Sequence, residues 1–268
     1  MAAKKHKPSG QDKIVFEKSD RTDTEVTIIG TTPLIVHDFN EKSLKEILEK
    51  QANRSGKIRK KLQPRDPFGE YVRSVKQLDN SGKSFGFPAQ ALKLGMIASS
   101  KKADAPPKTE LRTSFFVYGL HSPEVVNLYG IPRMRMDMVR IGGINKVAQP
   151  RFRACFDEWV MKFKIRKGSG VSHNDVFMLL YLAGLYNGLG EQRGQTTGNI
   201  FGQFEVCNTD KELMKKAEKI IKLSEQQPPF NTEAMKQKWL NELDINFDFG
   251  DFEEGIIEEV PEEEEATA

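Results

Sequence analysis

The stretch from Gly188 to Gly202 holds five glycines in fifteen residues, at Gly188, Gly190, Gly194, Gly198 and Gly202. Without a Cβ, backbone N–H groups can approach a phosphate closely, and Arg193 adds a guanidinium fork suited to an anion. No GK[ST] follows, so a Walker-type triphosphate loop is a poor fit. Further basic residues that could track a phosphate backbone are Lys57, Arg59, Lys60, Lys61, Arg133, Arg135, Arg140, Arg151, Arg153 and Lys164. Single strands are bound by cationic grooves flanked by stacking side chains, and Phe68, Tyr71 and Phe152 are the aromatic candidates here. Gly188, Gly190, Arg193 and Gly198 complete the expected nucleic-acid-binding set. Most other aromatics, such as Phe163, Phe177 and Tyr181, read as core.

Catalytic chemistry is thinly represented. His37-Asp38 is one HD dipeptide with no second His-Asp set, so a two-metal site is not supported. Cys155 and Cys207 lack a base partner or an elbow motif and read as packing residues. With four scattered histidines they form neither a disulfide framework nor a zinc pattern. No catalytic residue, metal or cofactor is expected, although Glu191-Gln192-Arg193 leave a nuclease as one alternative.

Charge is divided unevenly along the 268 residues. Asn241 to Ala268 carries twelve acids and no Lys or Arg; residues 1–240 hold 41 Lys+Arg against 26 Asp+Glu, a net of +15. A body that basic attracts polyanions, and an acidic tail is a typical interaction appendage. Within the tail, Phe247, Phe249 and Phe252 alternate with carboxylates and so mimic stacked bases and phosphates. The longest apolar run, Val176 to Tyr186, is too short to span a bilayer, and the first residues lack an apolar secretory stretch. These features predict a cytoplasmic protein with no membrane partner.

The elements that must position these residues can be read from periodicity. Residues 1–23 are polar and read as a disordered basic arm. A first strand covers Glu25–Gly30 and extends through Pro33, as an edge or bulge, into Leu34-Ile35-Val36. Ser43 can cap a helix carrying Leu44, Ile47 and Leu48. A turn at Phe87-Pro88 leads into a helix with Ala91, Leu92, Gly95 and Met96 inward, and Leu111–Gly119 reads as a strand. In Pro132–Arg140, arginine and aspartate alternate with Met134, Met136 and Met138, as in a hairpin arm. Trp159, Met161, Phe163 and Ile165 share one face of the clearest strand, Arg151–Lys167. Ser172 caps a buried helix through VFMLLYLAGLY, the glycine-rich segment follows, and Gln203–Cys207 closes as a strand. A helix from Asp210 presents Leu213, Ala217, Ile220 and Ile221 on one stripe, and a last helix surrounds Trp239.

Three segments together resemble the RAMP superfamily, the RNA-recognition-motif-like proteins that include CRISPR effector backbone subunits. TTPLIV at Thr31–Val36 is similar to that superfamily's TPL segment. FPAQALKLGM at Phe87–Met96 is similar to its IPGSSLKGALR segment, with Ala89-Gln90-Ala91 replacing Gly-Ser-Ser and Leu94 replacing a small residue. GLGEQRGQTTGNIFGQFEV at Gly188–Val206 is similar to its glycine-rich loop and final strand. The arrangement also looks like uncharacterised bacteriophage proteins with TPLIVH near the start and GxGExR near the end.

The resemblance implies an α+β, ferredoxin-like/RRM-like antiparallel sheet with insertions, plus C-terminal helices and disordered termini. The implied divisions are a nucleic-acid-binding domain at 24–207, helices at 208–245 and an acidic tail at 246–268. The expected function is cooperative coating of single-stranded nucleic acid in phage replication or recombination, with ssDNA favoured over RNA because the acidic tail resembles those of replication single-strand-binding proteins. The tail would compete for the groove and recruit replication partners. Self-association along the strand follows from the same resemblance, as does the bacterial host cytoplasm if the chain is phage-encoded. An RNA-binding CRISPR-like subunit, a phage structural protein and a RAMP nuclease are the alternatives.

Overall fold

The computed structural model describes residues 22–38, 48, 51, 66–103, 105–141, 147–168 and 171–243. In chain order these form β1 (Thr22–Gly30), β2 (Leu34–Val36), α1 (Pro67–Arg73), β3 (Lys76–Gln77), β4 (Phe85–Pro88), α2 (Ala89–Ser99), α3 (Lys108–Ser114) and β5 (Phe115–Tyr118). They continue as β6 (Val125–Ile141), β7 (Val147–Lys167), α4 (His173–Leu182), α5 (Gly194–Thr197), β8 (Phe204–Val206), α6 (Lys211–Gln226) and α7 (Glu233–Glu242). A π-helical turn, Ala183–Asn187, prolongs α4. The protein is thus a mixed α and β structure on an open antiparallel sheet.

The sheet runs β3-β4-β6-β7-β1-β8, with β2 and β5 also pairing to β7. β7 is the spine because it supplies two usable faces, the core-facing parity changing once, between Phe156 and Trp159. Trp159, Met161, Phe163 and Ile165 are buried together with Leu92, Met96, Val176 and Leu180 from α2 and α4. The opposite face carries Val160, which with Ile29 and Cys207 packs under Ala217 and Ile221 of α6. Each large side chain buried in this way contributes about 1.5–3 kcal/mol. Between Gly130 and Pro132 the register shifts against β7. That bulge keeps Met134, Phe152, Ala154 and Phe156 on the core side below it.

Several local expectations need correction. Phe85–Pro88 is a strand paired with β6 rather than a turn, and Leu111–Ser114 belongs to α3, with only Phe115–Tyr118 extended. Pro107 supplies the N-terminal boundary that starts α3. Ser172 caps the helix that follows it, as expected, and does so in a capping box with Asp175. It is buried on one side only: Met178, Tyr181, Leu185 and Tyr186 are exposed. The methionine alternation in β6 is real, but Met134 is buried while Met136 and Met138 are exposed, because the β6–β7 ribbon extends beyond the helices that cover its base. The Ser43 helix, the basic arm and the acidic tail fall on residues outside those described.

Candidate nucleic-acid interface

Alternation in the β6–β7 ribbon decides which side chains can meet a ligand. With Met134 and Phe152 committed to the core, Arg133, Arg135 and Asp137 of β6 and Arg151, Arg153 and Cys155 of β7 share the other face. Arg135 stands directly opposite Arg153, and Asp137 opposite Arg151. Like charges facing each other repel, so carboxylates must intervene. Asp137 does so: its Oδ1 accepts from Arg135 Nε at 2.9 Å, and its Oδ2 lies 3.4 Å from Arg153 Nη2. Arg133 is held by a two-pronged pair with Asp157, at 2.6 and 3.0 Å, which raises its pKa.

Arg153 is the unusual member. Its side chain is only 6% exposed, and Glu191, reaching over from the glycine-rich segment, lies 3.5 Å from Nη1. Its Nε and Nη2, and Asp137 Oδ2, are buried without a hydrogen-bond partner. A buried guanidinium with N–H groups left unpaired costs free energy.

The glycine-rich segment is stitched onto the same face. The Glu191 amide donates to the Ile35 carbonyl at 2.8 Å, the Gly202 amide to Pro33 at 2.8 Å, and the Leu189 amide to Gly202 at 2.9 Å. Gly190 has φ +72°, and a Cβ there would collide with the Ile35 carbonyl. At the apex, Gln192 adopts φ +53°, an uncommon conformation for a residue with a side chain. Arg193 Nη1 donates to the Gly190 carbonyl at 2.8 Å, bracing the turn. The Phe201 ring, bridged to Arg193 through the backbone, lies 4.9 Å below the Arg135 guanidinium.

The structure therefore brings together Arg133, Arg135, Arg151, Arg153, Gly188, Gly190 and Arg193. Gly198 terminates α5 in the left-handed conformation with nothing near its Cβ position, out on the exposed rim of the segment. Lys164 is on the far half of β7, roughly 35 Å along the strand, where it pairs with Glu25 at 3.3 Å. Arg140 ends the β6 arm. Lys57, Arg59, Lys60, Lys61, Phe247, Phe249 and Phe252 lie outside the described residues. Two expectations about chemistry change. The amides of Gly188, Leu189, Glu191, Gly198 and Gly202 already donate to carbonyls of the chain, so side chains rather than these amides face an anion. Phe68, Tyr71 and Phe152 are all buried and cannot stack on bases. Tyr71 is locked in place by donating to the Pro132 carbonyl at 3.0 Å.

Sequence reasoning missed Phe201, Asp137 and Glu191 as parts of this face. Ile200-Phe201 stands among glycines with no periodic partner to bury it, and that isolation was the available signal. His37 follows β2 beside Arg151 and Arg153; desolvation lowers its pKa, with Glu191 opposing the shift. Burial pushes the Cys155 and Cys207 thiols up to about 11, so neither is a ready nucleophile. Among the described residues no group of three metal-binding side chains gathers, and no helix is long and apolar enough to cross a membrane.

No family model matches the chain, and no curated protein matches it significantly.

Proposed function

We propose that this protein binds and coats single-stranded nucleic acid, with ssDNA favoured, across the arginine face of the β6–β7 ribbon and the glycine-rich segment. The observation that carries the reading is the convergence of Arg133, Arg135, Arg151 and Arg153 with Phe201 on one sheet face. Cations spaced along a ribbon follow a phosphate backbone, and the half-buried Phe201 ring beside the Arg135 guanidinium offers a base an edge to stack against. The middle of that sheet face is covered by α6, which directs a strand toward the ribbon instead.

The order β8-β1-β7-β6, with α2 between β1 and β6 and α4 between β7 and β8, supports a ferredoxin-like plan. Contacts between Thr31–Val36 and the glycine-rich segment, and between Asn187, just ahead of that segment, and the Gly95 carbonyl, bring together the three segments that carry the RAMP resemblance. That resemblance favours a phage replication or recombination setting in the host cytoplasm, with the acidic tail acting on the groove and on partner proteins.

The test is fluorescence anisotropy with labelled ssDNA, ssRNA and dsDNA of equal length at two salt concentrations. Single strands should bind, ssDNA tightest, with affinity falling steeply in salt. Phe201→Ala should weaken binding by about 1–3 kcal/mol. Arg135→Ala should weaken it for every sequence alike and flatten the salt slope. Equal neglect of all three nucleic acids removes the reading, and strand shortening with a divalent metal moves it to a nuclease.

A further inference from the structure

A second surface, independent of the arginine face, is left unpartnered on the helix that follows Ser172. Met178, Tyr181, Leu185 and Tyr186 recur at helical spacing along α4 and its π-helical turn, and are 53%, 51%, 44% and 49% exposed. Together they leave on the order of 400 Å² of mostly apolar surface in one stripe, the size of the largest patch on a typical soluble monomer, which is often a functional one. A standard interface buries ~800 Å² per partner with an apolar centre and a polar rim, so the stripe has the size of such a centre.

The ends of the stripe carry opposite charges. Asp175, exposed, stands one turn before Met178. At the other end Lys102 lies with its ammonium 5.4 Å from the Tyr186 ring, and Lys101 is exposed beside it. An apolar stripe with an acid at its start and cations at its finish is complementary to itself when a second helix lies on it antiparallel. Met178 of one copy then meets Leu185 of the other, the two Tyr181 rings come together near the twofold axis, and each Asp175 faces the other copy's Lys101 and Lys102. A parallel arrangement would set acid against acid.

We propose that the protein forms a twofold-symmetric dimer through this face of α4. The interface is closed, so the assembly stops at two copies. The arginines of the β6–β7 ribbon stay outside it, while the glycine-rich segment borders its Leu185–Tyr186 end.

The dimer is tested on the full chain by light scattering and by cysteine cross-linking. The chain should show twice its monomer mass, and Leu185→Glu should halve it; position 185 is already partly exposed, and a thermal melt checks that the variant remains folded. Tyr181→Cys should form a disulfide-linked dimer under mild oxidation. Cys155 and Cys207 are buried and add no background. Ile131→Cys, equally exposed but far from the stripe, should not cross-link. Lys102→Glu should loosen the dimer. A monomer at every concentration, an unchanged mass for Leu185→Glu, or a ladder of cross-linked species longer than two overturns the proposal.

Discussion

Glu191→Gln is the most incisive single change at the arginine face, because it removes one charge and leaves the shape. In the structure the Glu191 carboxylate sits 3.5 Å from Arg153 Nη1 and its side chain is 47% exposed. A half-exposed pair at that distance contributes about 0.5–1 kcal/mol, whereas a phosphate can meet the guanidinium at full hydrogen-bond length. A phosphate binding Arg153 must first displace Glu191 from the open side. Removing the carboxylate should then raise single-strand affinity by about 0.5–1 kcal/mol, roughly two- to fivefold. The gain should shrink as salt rises, since the screening length is only ~10 Å at 0.1 M. Anisotropy titrations of wild type and variant at two salt concentrations read this directly. Asp137 still holds Arg153, so the thermal midpoint should barely move. An unchanged or weaker affinity in a folded variant would show that Glu191 supports the site rather than competing for it, and Arg153 would lose its place as a phosphate ligand.

Two further outcomes follow from charge and burial. Deleting Phe247–Ala268, which removes ten carboxylates and three phenylalanines, should raise affinity for single strands, most at low salt; equal affinity with and without the tail would end the self-competition idea. The Cys155 and Cys207 thiols should react slowly with a thiol reagent at pH 8 in the native protein and promptly in denaturant, because burial holds both near pKa 11; fast native labelling would refute the packing assignment.

What was legible in the sequence was whatever a short period could encode. The run from Trp159 to Ile165 alternates cleanly because a strand buried on one face permits nothing else, and Ser172 with Asp175 announces its cap within four residues. The hairpin and its arginine phase were readable for the same reason. What tertiary packing decides was not readable. Phe68 and Tyr71 look like exposed aromatics beside a basic stretch, yet α1 folds onto β7 and buries them against Phe230, whose ring lies 5.5 Å from that of Tyr71. Tyr181 looks like core in an apolar run, yet α4 turns that side outward. Leu111–Ser114 precedes an aromatic strand and reads with it, while the proline just ahead starts a turn of helix first. Arg153 was found as a cation, but its burial between Asp137 and Glu191 depends on a partner fifty-four residues back from Glu191 in the chain and could not be seen locally.

The carboxylates on the arginine face also bear on how the protein would bind. Arg133, Arg135 and Arg153 are each oriented by Asp157, Asp137 or Glu191 before any ligand arrives. Fixing a guanidinium in advance reduces the side-chain entropy lost on binding, so less of each phosphate contact is spent on ordering. The same acids lower the net charge of the face, which keeps each contact modest and sensitive to salt. A surface built this way would hold a strand through many small, exchangeable contacts rather than one tight grip. That suits a coat that must give way when another protein needs the strand. On the proposed reading Phe201 would then carry the discrimination: with the charges half compensated, stacking on its ring would distinguish an unpaired base from duplex, in which the bases are already stacked on one another.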